Sequence, residues 1–397
     1  MEKVFLRPRR EDSILRFHPW VFSGAIAQIT GEPAEGDLVG VYSADGQYLA
    51  TGHYQIGSIA VRILSFDEDP TAPDFWEKMV RRAFQARVAC GLHGSASTTC
   101  YRLVHGEGDG LPGLIIDYYD GVCVLQAHSV GMFKAKNAIC EALQAVYGET
   151  LKAVYDKSSG TAPFKAGLDL IDGYLYRAPG FDTDECVVLE NGNKFHVNWN
   201  EGQKTGFFLD QRENRASVGR LAKGRNVLNL FCYTGGFSIY ALSGGAAHVD
   251  SVDSSRKAMD MVDRNVALNG FTPEQHTSYC ADAIEFLRDV PEGKYDLMIV
   301  DPPAFAKHRG ALKNALRAYQ RLNAAAIAKV APGGFVFTFS CSQVVDKEAF
   351  ALAVFSAAAQ TGRSVRILDR LNQPADHAVN IYHPEGEYLK GLLLYVE

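Results

Sequence analysis

A chain of 397 residues, 47% hydrophobic and 22% charged, is long enough for two or three domains and apolar enough to give each a core. Its formal net charge of −6 excludes a global pull toward nucleic acid, so contact with a polyanion must come from local basic patches. The eight cysteines lack CxxC spacing, which excludes a zinc cage or a disulfide framework, and no apolar run approaches the ~20 residues of a bilayer span.

The opening MEKVFLRPRRED has basic residues but no apolar stretch behind them. No signal peptide is expected, and a reducing cytoplasm, with no membrane association and no bound metal, is the simplest setting. Residues 1–70 are short alternating runs, VFSGAIAQI, LVGVYS, LATGHY and SIAVRIL, broken by TGEPAEG and ADG. This spacing predicts a small β-rich domain, a compact barrel. Lys3, Arg7, Arg9, Arg10 and Arg16 precede Trp20, a basic stretch beside an aromatic that could meet a phosphate backbone. A solvated surface explains the same composition.

A boundary falls at DEDPTAPD, residues 67–74, and opens a middle domain over residues 71–188. FWEKMVRRAFQARVACG is a helical pattern carrying Arg81, Arg82 and Arg87, which with the N-terminal arginines are expected to form a local basic face. YRLVHGEGDGLPGLIIDYYDGVCVLQAH reads as turns and a β-hairpin, and its glycines follow no phosphate-loop order. Phe133–Tyr147 is expected as one amphipathic helix. The segment is α+β, and no chemistry is legible in it.

Residues 189–397 change texture again. After the hairpin-like VVLENGNKFHVNW, strands and helices alternate: NVLNLF, AHVDSVD, a run near HTSYCAD, YDLMIVD and FVFTFS are strands separated by helical patterns. Ser254 is expected to cap the second helix and Gly270 to end it. RSVRILDRLN and GLLLYVE add two final strands, one of them antiparallel. The alternation predicts an α/β domain with a Rossmann-like, doubly wound sheet of seven strands.

In such sheets ligands sit outside the carboxyl ends of the strands, near the switch point. The first strand runs into NLFCYTGGFS, where Gly235 and Gly236 let the backbone turn close to a ligand. The order is not GxGxxG, which favours a smaller adenosine-bearing cofactor over a dinucleotide. Asp253 ends the second strand, placed for ribose hydroxyls, and Asp282 the third, placed for an adenine amino group with Ala283 against the ring. A lone acid at a strand end is more often a helix cap; two in successive units after a glycine turn point to a ligand. The fourth strand ends in DPPAFAK, where Pro302 and Pro303 stiffen a turn presenting Asp301 and Phe305, a pairing suited to a nucleobase.

Together these motifs resemble class I S-adenosylmethionine (SAM) methyltransferases. The resemblance spans the chain. HPWVFSGAI looks like the start of a PUA RNA-binding domain, while GEGDGLPGLIIDYYD, TGFFLDQRENR and EYLKGLL are similar to stretches of the bacterial ribosomal RNA large subunit methyltransferase I family. It implies SAM as methyl donor and S-adenosyl-L-homocysteine as product. Phe208, Gln211 and Arg212 would border the SAM pocket together with Phe231, Cys232, Tyr233, Thr234, Gly235, Asp253, Ser254, Asp282, Ala283 and Asp301. The substrate implied is cytosine C5 in 23S rRNA, naked or in an assembly intermediate, met by Phe305, Pro302, Pro303 and the arginines Arg7, Arg9, Arg10, Arg81 and Arg82. A homodimeric state is left open.

Pyrimidine C5 is too weak a nucleophile to take a methyl group directly, and a thiolate added at C6 makes it enamine-like. Cys341, at the end of the fifth strand in FTFSCSQ, is the thiol on the right edge of the sheet, and Asp301 is placed to hold the cytosine edge. The other seven cysteines read as buried small residues, Cys232 as packing under the cofactor loop. Many RNA cytosine-C5 methyltransferases carry a second cysteine after the Asp-Pro-Pro turn; here that position is Ala304. The base that removes the C5 proton is not legible. A methyltransferase of guanine or adenine nitrogens in rRNA would use the same turn without a cysteine, and a non-catalytic RNA-binding assembly factor would need neither.

Overall fold

The computed structural model describes residues 1–163 and 166–397. Contacts divide the chain into two units: Met1–Val188 with Val197–Leu209 and Ala375–Gly386, and Leu189–His196 with Asp210–Pro374 and Glu387–Glu397.

In the first unit, residues 2–65 form strands β1 (Glu2–Leu6), β2 (Trp20–Phe22), β3 (Ile26–Ile29), β4 (Leu38–Tyr42), β5 (Tyr48–Tyr54) and β6 (Ile59–Ser65), with helix α1 (Asp12–Leu15) after β1. They make one sheet in the order β2-β6-β5-β4-β1-β3. The inward-facing pairs Val4 and Leu6, Val39 and Val41, and Val61 and Ile63 are two residues apart, so each pair shares a face of its strand. They meet Ile14, Val21 and Leu49 in a single cluster, and a sheet that fills its core from its own strands is curled around it in barrel fashion.

The α+β portion adds α2 (Phe75–Ala89), β7 (Cys100–His105), β8 (Leu114–Tyr119), β9 (Val122–Ala127), α3 (Val130–Lys134), α4 (Lys136–Tyr147), β10 (Ala153–Asp156) and β11 (Gly173–Arg177). Its sheet runs β11-β10-β9-β8-β7, with Met79 and Val80 of α2 and Ile139 and Leu143 of α4 closing over Leu103, Ile116 and Leu125. The helix expected over Phe133–Tyr147 is two helices. Ser129 starts α3 by accepting from the Met132 N–H, and α3 stops at Ala135 before α4 begins.

A hairpin of β12 (Glu185–Glu190) and β13 (Asn193–Asn198) leads into the second unit. There α5 (Arg212–Leu221) precedes the alternation: β14 (Asn226–Leu230), α6 (Gly236–Ser243), β15 (His248–Asp253), α7 (Arg256–Leu268), β16 (His276–Cys280), α8 (Ala283–Asp289), β17 (Leu297–Val300), α9 (Leu312–Lys329), β18 (Gly334–Ser340), α10 (Lys347–Thr361), β19 (Val365–Asn372) and β20 (Lys390–Val396). The sheet order is β16-β15-β14-β17-β18-β20-β19, and only β20 runs against its neighbours. Central strands such as LMIV and GFVFTFS are buried at every position, as strands covered on both faces must be. The order turns back between β14 and β17, so the carboxyl ends of those two strands frame the switch-point crevice.

One expected cap shifts by a residue. Ser255, not Ser254, caps α7 by accepting from the Ala258 N–H at 3.2 Å. The Asp253 carboxylate takes the Ser255 N–H at 2.9 Å, an Asx turn that holds residues 253–255 outside the helix. Gly270, at φ +76, follows the end of α7 as expected.

Leu230, fully buried at the mouth of β14, carries the packing under the crevice. Leu230→Ala should cost about 2–5 kcal/mol of unfolding free energy, measured as a lowered urea midpoint with an unchanged slope.

Candidate active site

The loop after β14 bends sharply. Phe231 and Tyr233 hold positive φ angles of 58° and 47°, conformations that non-glycine residues adopt at a cost, and Gly235 follows at 81°. Three anchors keep the loop there: Cys232 N–H to Val252 O at 3.1 Å, Gly235 N–H to Cys232 O at 2.8 Å, and the Asn265 amide to Thr234 O at 2.9 Å. Cys232 is buried against the Met259 sulfur at 3.7 Å, and burial pushes its thiol well above the ordinary range, so it packs as a protonated side chain.

Asp253 joins this loop to the next strand end. One carboxylate oxygen accepts from Tyr233 N–H at 3.0 Å and the other from Ser255 N–H at 2.9 Å. Asp282 is exposed and does the work of a cap: its Oδ1 accepts from Ile284 and Glu285 N–H, both at 2.9 Å. Both bonds use that one oxygen. Ala283 is buried beside it, and Ser254 is exposed with its carbonyl facing the Cys280 thiol at 3.5 Å.

The fourth and fifth strand ends are stitched together. Cys341 is half-buried between two buried serines, and each serine makes a bond that fixes its position. Ser342 donates to the Ala306 carbonyl of the DPPAFA turn at 2.6 Å, and Ser340 donates to the Tyr319 hydroxyl of α9 at 2.9 Å. Phe305 lies against the Tyr319 ring with centroids 4.7 Å apart; Pro302 is buried and Pro303 exposed. Burial pushes the Tyr319 hydroxyl up to about 12, and the charges of Cys341 and Asp301 both add to that rise. Cys341 and Asp301 directly follow the parallel neighbours β18 and β17, so both stand on the same edge of the sheet.

The carboxylate of Asp301 accepts from the Gln211 amide at 3.0 Å, and Gln211 in turn accepts from Asn214 at 2.6 Å. Gln211 thus reaches the strand-end cluster. Arg212 is buried, 3.7 Å from Glu190, which Arg215 grips with two bonds of 2.8 Å. Phe208 belongs to the first unit, where the Lys204 ammonium sits over its ring at 4.6 Å. The sequence reading missed Ser340, Ser342, Tyr319 and Lys390; the serines flanking Cys341 were the visible signal.

The expected basic face needs one correction. Arg7, Arg9, Arg10 and Arg16 are exposed, and Arg81 and Arg82 stand at the surface paired with Glu77 and Glu68. Arg87 is only 1% exposed, because its guanidinium is consumed by Asp109 at 2.7 and 2.6 Å and by the carbonyls of Arg102 and Asp376. It is a structural cation. Trp20 likewise gives its indole N–H to Glu107 at 2.9 Å, leaving Phe17 and Phe22 as the exposed aromatics near the arginines. Among the described residues no helix is long and apolar enough to cross a membrane.

Comparison with known proteins agrees with this architecture. Residues 101–393 match the model of an S-adenosylmethionine-dependent methyltransferase family, and residues 4–66 match a PUA-like domain. The chain is 39% identical over 396 residues to a protein of Aeromonas hydrophila named ribosomal RNA large subunit methyltransferase I, with 98% of each chain covered. Relatives of the same name in Shewanella amazonensis and Pseudoalteromonas atlantica are 40% and 41% identical, again over 98% of each chain. A solved SAM-dependent methyltransferase from Streptococcus mutans superposes over both full lengths with a TM-score of 0.84 at 23% identity, a likeness of fold.

Two substitutions test the site's construction. Ser342→Ala should cost about 1–2 kcal/mol by leaving the Ala306 carbonyl without its donor, read by chemical denaturation. Arg87→Met should cost roughly 3–5 kcal/mol by stranding the buried Asp109 carboxylate. Its effect on RNA affinity, measured on the folded fraction, should be small.

Proposed function

Because the chain belongs to the ribosomal RNA large subunit methyltransferase I family of SAM-dependent methyltransferases, we propose that it methylates C5 of a cytosine in 23S rRNA through a covalent bond between Cys341 and C6 of the base. The coarser activity, SAM-dependent methylation of ribosomal RNA, follows from the family; the atom modified is our reading of the site.

The residues present fit the cofactor. Asp253 is clamped at the end of β15, next to the switch-point strand β14, by two backbone N–H groups, one of them from the strained Phe231–Gly235 loop. Asp253 would take the ribose hydroxyls, Asp282 and Ala283 the adenine, and Gln211 would steady the Asp301 edge. Bound SAM would supply an electrophilic methyl group on a sulfonium, whose S–CH3 bond breaks on transfer to leave the neutral thioether S-adenosyl-L-homocysteine. The Cys341 thiolate adds to C6, forming an S–C bond and shifting the ring electrons toward C5. Asp301 holds the exocyclic amine and ring nitrogen, favouring the protonated ring that accepts the thiolate. Once C5 carries the methyl group, loss of its proton restores the double bond and expels the thiolate.

One observation supports this reading: Asp301 and Cys341 follow adjacent parallel strands, on turns bonded to each other through Ser342. A nitrogen methyltransferase would have no use for the thiol. The RNA partner is proposed from the PUA-like domain and its exposed arginines.

Cells lacking this protein, complemented with wild type or Cys341→Ala, provide the test. Mass spectrometry of 23S rRNA nucleosides should show 5-methylcytosine restored only by wild type, with in vitro turnover of the variant down more than ~1000-fold and SAM binding intact. Full activity of the variant would overturn the covalent mechanism. Replacing Arg7, Arg9 and Arg10 with Gln should weaken RNA binding and flatten the slope of log K against log salt by roughly 0.7 for each phosphate the arginines no longer neutralise.

A further inference from the structure

Lys390 opens β20, a strand that otherwise reads GLLLYV, and pairs in register with Ser340, the residue before Cys341. It is only 6% exposed. Its ammonium donates to the carbonyls of Ser342 at 2.5 Å and Val345 at 2.6 Å, both on the turn that follows Cys341. Among the described residues, no carboxylate lies within ion-pairing distance of it.

A buried ammonium without a carboxylate is an expensive arrangement. The charged groups around it are Cys341, Asp346, Glu387 and Lys347, and the strongest electrostatic attraction is to Cys341. The two acids are engaged elsewhere: Asp346 caps α10 through the Ala349 N–H, and Glu387 is bonded to Lys347. Burial drives the lysine down to about 8, opposed first by Cys341. Its two carbonyl acceptors seat the ammonium on the turn that directly follows Cys341, and its backbone pairs with Ser340 directly before it.

We propose that Lys390 is a positioning residue for Cys341, holding the 342–345 turn through two carbonyls and stabilising the sulfur as a thiolate near neutral pH. It touches neither base nor cofactor. The proton released when the thiol ionises passes to buffer, and Lys390 keeps its own. This rests on the reading of Cys341 as nucleophile, yet it has a readout independent of methyl transfer. The sign follows from the lysine's titration. The ammonium is present below about pH 8 and lost above it, so its help to the thiolate is greatest below that point.

The experiment is iodoacetamide alkylation of the full chain across pH, with Cys341 followed by peptide mass spectrometry and the exposed Cys90 as internal reference. In wild type the Cys341 midpoint should lie at least one pH unit below that of Cys90. Lys390→Gln, which keeps a donor for the turn but removes the charge, should raise the Cys341 midpoint by about one unit. That is roughly a tenfold slower reaction at pH 7, with the gap closing above pH 8. Lys390→Arg should restore the low midpoint, and SAM titration reports whether each variant is folded. Equal midpoints for Cys341 and Cys90 in wild type would overturn the proposal without any variant, as would an unchanged midpoint in folded Lys390→Gln. Retained methyl transfer by Cys341→Ala would instead refute the nucleophile itself, whatever the alkylation profile.

Discussion

The hydroxyl of Ser342 on the carbonyl of Ala306 is the bond on which the candidate site depends. Parallel strands of a doubly wound sheet are held by backbone ladders, but those ladders stop where the strands stop. Past β17 and β18 the chain is loop, and nothing in the sheet itself obliges two neighbouring loops to keep a fixed separation. Ser342 supplies that obligation, and Ser340 repeats it one layer down by bonding Tyr319 on the covering helix. A cysteine between two such serines has its main chain pinned on both sides.

The cofactor side is built on a different principle. The loop after β14 is held in unfavourable backbone geometry at Phe231 and Tyr233, with Asp253 and Asn265 absorbing the cost through bonds to its main chain. Strain maintained by surrounding bonds is a form of preorganisation: the loop does not have to be bent when a ligand arrives. The two halves of the crevice meet at Asp301, which Gln211 secures from the segment preceding the sheet. The rigid Asp-Pro-Pro turn keeps that carboxylate from following the glutamine away.

Much of this was legible in the sequence for physical reasons. A strand covered on both faces is mostly apolar, so the runs at 226–231, 295–301 and 335–340 announced themselves, and the ends of the last two put Asp301 and Cys341 at the crevice. What escaped was whatever depended on partners far along the chain. Arg87 looked like one more arginine on a basic helix, and its burial follows from Asp109, 22 residues on, and from Asp376, 289 residues on. Lys390 was not singled out, because its acceptors lie 45 and 48 residues earlier in the chain. The cap expected at Ser254 failed for a local reason: the Asp253 turn holds residues 253–255 outside the helix, and Ser255 becomes the cap.

The bonds from Arg87 and from the Arg102 N–H to Asp376 also bear on how the protein is made. The first unit draws on residues 1–188, yet its last strip, Ala375–Gly386, is synthesised only after most of the second unit, 210–374. On the ribosome, then, the buried Arg87 guanidinium waits for one of its four bonds, and the Arg102 N–H for its acceptor, while strands β14 to β19 emerge. Vectorial synthesis gives the first unit no head start in reaching its final state. Any lesion that stops translation before codon 375 leaves both units unfinished, the upstream one included.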